Sequence, residues 1–259
     1  MSSTVDISLT EVALALVLVA IAAAVSFWRR ADLEQDLGIA VLRSFLQLTA
    51  IGYVIQAIFD SDSLWLVAGL LVVMVSFGSA TAYSRAREVP GALLPIVLAL
   101  TTAAAVTLGL VLALGVFEAE PRYLIPVGGM VIGNTMIAVA VALNRLADEV
   151  KSQAAGIEAT LALGATAREA SVAIVTRSLR SGMIPLIDST KTTGIVFLPG
   201  AMSGMLIAGA EPLDAVRLQM ILLWILLGSI ALGGLIAVSL GYRGFFTPAH
   251  QLRELPSAQ

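Results

Sequence analysis

Apolar residues run along this chain in long blocks that separate cleanly, at about Val12–Phe27, Leu37–Phe59, Leu64–Ala82, Ala92–Val116, Leu124–Leu143, Ile184–Ala208 and Leu218–Tyr242. Each block is 16 to 25 residues long, enough to cross the hydrocarbon of a bilayer with some tilt. Lipid offers no partner to a backbone N–H or C=O, so every block is expected to be a helix. Val12–Phe27 is the shortest and needs Ile7 and Leu9 to complete a span. The pattern predicts an all-α, multi-pass membrane protein of about seven transmembrane helices, organised as one domain over residues 1–259.

Composition agrees. Hydrophobic residues make up 58% of the chain and charged residues 13%, with a mean hydropathy of +0.95. A water-soluble body could not cover that much apolar surface with so few charges. Other counts remove whole classes of chemistry. There is no cysteine, hence no disulfide, thiolate metal site or cysteine nucleophile. The single histidine, His250, lies near the C-terminus, so a Ser–His dyad within the membrane is excluded, as is a multi-histidine metal site. Neither lysine, Lys151 or Lys191, ends a Gly-x-x-x-x-Gly-Lys loop, and ATP cannot be bound by that route. A net charge of −3 leaves no basic patch for nucleic acid. Met1 to Glu11 carries no Lys or Arg ahead of the first apolar block, so no cleaved signal peptide is expected.

The cations predict an orientation. Arg29, Arg30, Arg85, Arg87, Arg145, Lys151, Arg168, Arg177, Arg180, Arg243 and Arg253 fall in connections on one side. The other side holds only Arg122 and Arg217, among acids such as Asp60, Asp62, Glu118, Glu120 and Glu211. The positive-inside rule then places the N-terminus outside and the C-terminus in the cytoplasm of a cell (inner or plasma) membrane.

One connection differs from the rest. Asn144–Met183 is 40 residues long, polar and cytoplasmic. Leu143 to Leu163 reads as a continuation of the fifth span, with Gly164 as its C-cap. Thr166-Ala167-Arg168-Glu169 reads as a capping box that opens a second helix, running to about Gly182 with Pro185 marking entry to the next span. Such a helix–Gly–helix bend is either a docking element for a partner or a solvated linker.

Its residues, Glu158-Ala159-Thr160-Leu161-Ala162-Leu163-Gly164, resemble the Glu-Ala-Ala-x-x-x-Gly loop of ABC-transporter permeases, and Ile174 falls at the family spacing. The Leu-Pro expected soon after it is absent, Ile184-Pro185 being the one candidate. Ile125-Pro126-Val127-Gly128-Gly129-Met130-Val131-Ile132-Gly133-Asn134-Thr135-Met136 is a second motif. A third is Ile184-Pro185-Leu186-Ile187-Asp188-Ser189-Thr190-Lys191-Thr192-Thr193-Gly194, continuing through Leu198-Pro199-Gly200-Ala201-Met202-Ser203-Gly204. Together with Leu163-Gly164-Ala165-Thr166, these resemble the iron-export ABC permease family (FetB type), whose plant relatives are linked to aluminium tolerance. The similarity runs to His250-Gln251-Leu252. The resemblance implies a membrane subunit that is not itself an enzyme. It would pair with a second copy of itself and with an ATP-binding subunit that binds ATP and Mg and docks on the 144–183 loop. Glu158, Ala159, Gly164, Ala165 and Thr166 would then be the coupling residues. Iron is the cargo associated with bacterial members, and sugar nucleotides have been proposed in plants.

Three ionisable groups fall within spans, at a cost of roughly 2.5–3.5 kcal/mol each near the bilayer centre. Arg43 lies about 9 Å in from the cytoplasmic end of the second block, and Asp188 and Lys191 about 6 and 10 Å in on the sixth. They line a polar vestibule, or else the cations snorkel and Asp188 neutralises Lys191. Asn134, near the midplane of the fifth block, is interhelical glue or a ligand to cargo. Met130, Met202 and Met205 offer thioethers that suit soft cations or flexible packing, and Ser203 adds a hydroxyl. Gly129-x-x-x-Gly133 and Gly200-x-x-x-Gly204 predict that the fifth and sixth spans touch through their glycines. Pro199-Gly200 predicts a break in the sixth helix, a usual pointer to a transport site. A proton-coupled carrier using Asp188 is the alternative mechanism. An intramembrane enzyme fits least, for want of His, Cys or a carboxylate pair.

Overall fold

A computed structural model of the chain describes residues 9–61 and 63–253, so Ile7 and Asp62 lie outside the described residues. The fold is all-helical. Its helices are α1 (Leu9–Arg29), α2 (Glu34–Ser61), α3 (Leu64–Arg85), α4 (Leu93–Ala113), α5 (Pro121–Ser152), α6 (Ala154–Ala162), α7 (Ala167–Thr192), α8 (Gly200–Ile207) and α9 (Pro212–Gly241), followed by a 3-10 turn at Tyr242–Phe245. Among the described residues, six of these are long and apolar enough to cross a membrane: α1, α2, α3, α4, α5 and α9 with its 3-10 extension. Strand pairing among the described residues amounts to two isolated bridges, Thr193 with Phe197 and Phe246 with Leu252.

α5 is the centre of the bundle, packing against α3, α4, α7 and α9. Backbones approach closely at glycines. A Cβ on Gly182 of α7 would stand 2.6 Å from the Ala138 carbonyl oxygen and 2.8 Å from the Ala142 Cβ, both on α5. Gly233 of α9 abuts Thr135 of α5, Gly128 of α5 abuts Leu71, and Gly244 lies against the Pro90 carbonyl. Gly182→Val is therefore expected to force α5 and α7 apart and to cost about 1–3 kcal/mol, because backbone atoms cannot yield as a side-chain tip can. A fall in the thermal midpoint of the purified protein checks this. The same change at Gly133, where a Cβ meets nothing within 4 Å, is expected to leave the midpoint unmoved.

That contrast corrects the glycine expectation. Gly133, Gly200 and Gly204 face open space within one chain, and Gly129 makes only ordinary contact with Met74. α8 packs on α9, so the two Gly-x-x-x-Gly pairs do not meet.

Two boundaries also move. Pro185 does not open a new helix. α7 runs unbroken from Ala167 to Thr192 with Pro185 inside it, held by packing on α5 and α9 that overrides the local break. The sixth apolar block is thus not one helix. Its first part is the end of α7, its middle is the irregular stretch 193–199, and its last part is α8. The break expected at Pro199-Gly200 is present, with Pro199 as the N-cap of α8 and Gly194 at φ +85° in the turn before it. The fifth span does continue past the bundle, but it is interrupted at Gln153, where α6 begins.

α1 and α2 pack mainly on each other, joined by a short connection in which Arg30 and Asp32 are left-handed. Their apolar side chains face outward, as lipid-facing helices require. The ends of α3, α5 and α9 lie together: Lys151 pairs with Glu88 at 2.9 Å, and a Cβ on Gly241 would touch Leu143, Leu146 and Val89. This is the cation-rich end, the one that the positive-inside rule assigns to the cytoplasm.

Candidate functional site

The element built from α6, the Gly164 turn and α7 is capped on both sides of its bend. At the end of α6, the Gly164 N–H donates to the Leu161 carbonyl (2.9 Å) and the Ala165 N–H to the Thr160 carbonyl (3.3 Å), a Schellman closure. It requires Gly164 at φ +91°, a conformation that side chains resist. Two residues on, Thr166 caps α7. Its Oγ1 accepts from the Glu169 N–H (3.3 Å), and the Glu169 carboxylate accepts from the Thr166 N–H and Oγ1–H, both at 2.8 Å. Ile157 and Ile174 are buried and tie the two arms to the core. The bend is thus a structured turn, hydrogen-bonded on both sides and anchored to the core.

The bonds from the Thr166 N–H and hydroxyl hold the Glu169 carboxyl below its ordinary value of 4.5. The carboxylate form is the one bonded, so the box contributes in full above about pH 4.5 and its contribution fades as pH falls through the lowered value. The capping box itself is therefore expected to be insensitive to pH from 5 upward, which amide protection factors at Thr166 and Glu169, corrected for the intrinsic pH dependence of exchange, check across an acid titration.

The C-terminal segment braces the bend. The Thr247 N–H donates to the Gln251 carbonyl (2.8 Å) and the Arg253 N–H to the Phe245 carbonyl (2.8 Å), closing a small hairpin. His250, left-handed at φ +58°, accepts the Ala167 N–H on its Nδ1 at 3.3 Å, satisfying a free donor at the start of α7. Hairpin and bend together line a cleft of 450 Å³, with Glu158, Leu161 and Gly164 on one wall and His250, Gln251 and Leu252 on the other. Between Ala162 and Gly164, Leu163 is 90% exposed.

Behind the bend, Glu149 near the end of α5 is buried, its side chain only 7% exposed. It is held by Arg145 one turn back, by Gln153 one turn on and by Arg177 of α7, whose Nε and Nη2 reach Oε2 at 3.0 and 2.9 Å. One carboxylate thus fastens α5 to α7 just behind the bend. Sequence reasoning missed it, although Arg145, Glu149 and Gln153 recur at the four-residue spacing of one helix face.

The transport-path candidates are more scattered. Asp188 and Lys191 sit on the last turns of α7, exposed and 3.4 Å apart. Met202 and Ser203 are half-buried on α8, with the Ser203 hydroxyl 3.4 Å from the Leu198 carbonyl. Asn134 is half-buried on α5, and its amide donates to the Met130 carbonyl of its own helix at 2.8 Å. Met130 packs against the core. Arg43 is exposed on α2, which packs mainly on α1, and has no ion pair among the described residues. The structure brings Asp188 to Lys191 and Asn134 to Met130; it does not gather the set into one cavity. Among the described residues, no three of His, Cys, Asp and Glu converge to hold a metal ion.

Comparison with known proteins bears on this geometry. The family model described as "Uncharacterised protein family (UPF0014)" matches residues 9–246, including all nine helices of the described residues. The chain belongs to that family. Protein ALUMINUM SENSITIVE 3 of Arabidopsis thaliana is 40% identical over 242 residues, covering 93% of this chain and 88% of that protein. "Probable iron export permease protein FetB" of Escherichia coli is 37% identical over 248 residues, covering 95% of each. STAR2, a UPF0014 membrane protein of rice, is 40% identical over 237 residues, 91% of this chain and 83% of that one. No solved structure matches the chain. With six apolar spanning-length helices among the described residues, this chain is a multi-pass membrane protein of the UPF0014 family, one member of which is named as a probable iron export permease.

Proposed function

We propose that this UPF0014 chain is the membrane-spanning subunit of an ABC exporter, docking a separate ATPase on the α6–α7 bend and moving iron or another metal ion as its cargo. The carrying observation is the bend itself. It is capped on both sides, braced by the C-terminal hairpin and tipped by an uncovered Leu163. A rigid lever is what transmitting force from a partner requires, and α7 extends from that bend into the bundle without a break. The name of the Escherichia coli relative supports an iron cargo. A homodimer would complete a machine with two ATPases.

The proton-carrier alternative asks for a carboxylate free to give and take a proton, whereas Asp188 is paired with Lys191 at 3.4 Å.

Glu158→Lys reverses a charge on the cleft wall without touching the core, and is expected to abolish co-purification of the ATPase while the permease keeps its thermal midpoint. Retained co-purification would set the docking assignment aside. Adding a panel of metal ions to the reconstituted complex is expected to stimulate ATP hydrolysis for the transported ion. Silence with every ion would move the cargo to an organic solute.

A further inference from the structure

At the cation-rich end of the bundle, on the far side of the 3-10 turn from the bend, a separate cleft of 460 Å³ opens between the start of α4 and the end of α9. Its membrane-side wall is apolar: Leu94 and Leu98, one turn apart on α4, with Pro95 between them and Leu240 of α9 opposite. Leu94 is 66% exposed, so this wall has no protein cover in one chain. Its outer rim carries Arg243 and Arg253.

Among the described residues, no carboxylate pairs with either guanidinium, and no acid lines the cleft. Glu88, the one acid in the connection 86–92, is already taken by Lys151. Arg253 is fixed in place, its Nε donating to the Phe246 carbonyl at 3.2 Å and its backbone N–H to Phe245, which leaves its outer N–H groups unspent. Arg243 follows directly on the last turn of α9. Leu98 lies about 8 Å below the start of α4, the depth of the first acyl carbons. Two cations at headgroup level above an uncovered leucine wall match one chemistry: a phosphate diester carrying an acyl chain.

We infer that this cleft binds an anionic phospholipid, its phosphate on Arg243 and Arg253 and one acyl chain along Leu94 and Leu98. The site is independent of the cargo and of the ATPase. Occupied, it would tie the end of α9 to the start of α4 through the lipid.

Native mass spectrometry of the full chain in mild detergent, with phosphatidylglycerol and phosphatidylcholine of the same acyl length, tests this. Retention is expected to favour phosphatidylglycerol about fivefold per arginine engaged. Arg243→Gln is expected to remove most of that preference, whereas Arg85→Gln, at the same end of the bundle but outside the cleft, is expected to keep it. Leu94→Glu, on an exposed position that the fold does not need, gives a second route to the same loss. Equal losses in Arg243→Gln and Arg85→Gln would reduce the effect to surface charge and overturn the site. So would equal retention of the two lipids by the native chain. Displacement of phosphatidylglycerol by millimolar inorganic phosphate alone would show a free anion site and overturn the lipid assignment.

Discussion

Gly164→Pro is expected to abolish transport while the transmembrane bundle stays folded. Gly164 stands at φ +91°, and proline is locked near −65°, so the turn cannot keep its shape. Proline also lacks the N–H that Gly164 donates to Leu161, which opens the Schellman closure. Nothing else should suffer, since a Cβ at Gly164 meets no atom within 4 Å and the turn lies outside the buried core. Loss of the left-handed conformation at a turn costs about 1–3 kcal/mol locally, enough to unseat the Thr166 cap that follows but not to unfold α3, α4, α5 and α9. The readout is a pair of measurements: transport by the reconstituted complex falls to background, and the thermal midpoint of the permease shifts by only a few degrees. Gly164→Ala should be intermediate, keeping the N–H while straining the backbone.

Removing Arg177 is expected to uncouple the machine rather than to dismantle it. Arg177→Ala takes away the bond from α7 to the buried Glu149 carboxylate, leaving Arg145 and Gln153, both on or next to α5, as its remaining partners. The cost to stability is about 2 kcal/mol, the scale of a hydrogen bond to a charged group. Function should fall further, because the lost contact is the one that fastens α7 to α5 behind the bend. The ATPase is expected to bind and hydrolyse ATP while transport drops at least tenfold. Arg145→Ala is the control. Its bond to Glu149 lies within a single helix, so its loss costs stability on the same scale, about 2 kcal/mol, without parting α7 from α5, and coupling should persist. Matching losses of coupling from the two substitutions would show that Glu149 needs only positive charge nearby, and the fastening role would be lost.

The helical class and most spans could be read from the chain because lipid forces a backbone to bond within itself, so a long apolar block has one outcome. Tertiary packing decided where that logic stopped. Pro185 and Gly182 look like punctuation in the sequence. Gly182 is instead where α7 closes on Ala138 and Ala142, and that contact carries the helix through the proline. The Gly-x-x-x-Gly spacings misled for the same reason: a small-residue stripe says that a close approach is possible, not which helix will make it. Thr166 and Glu169 could be read at sight, since a capping box is purely local. Glu149 with Arg177, and His250 with Ala167, join residues 28 and 83 positions apart, a separation at which no local pattern signals contact.

Transport by purified, reconstituted protein, with and without the cognate ATPase, tests the docking claim most directly. Export that appears only when the ATPase and ATP are both present, and that fails with Glu158→Lys, is the expected result. Export sustained by the membrane subunit alone, driven by a proton gradient, would contradict it.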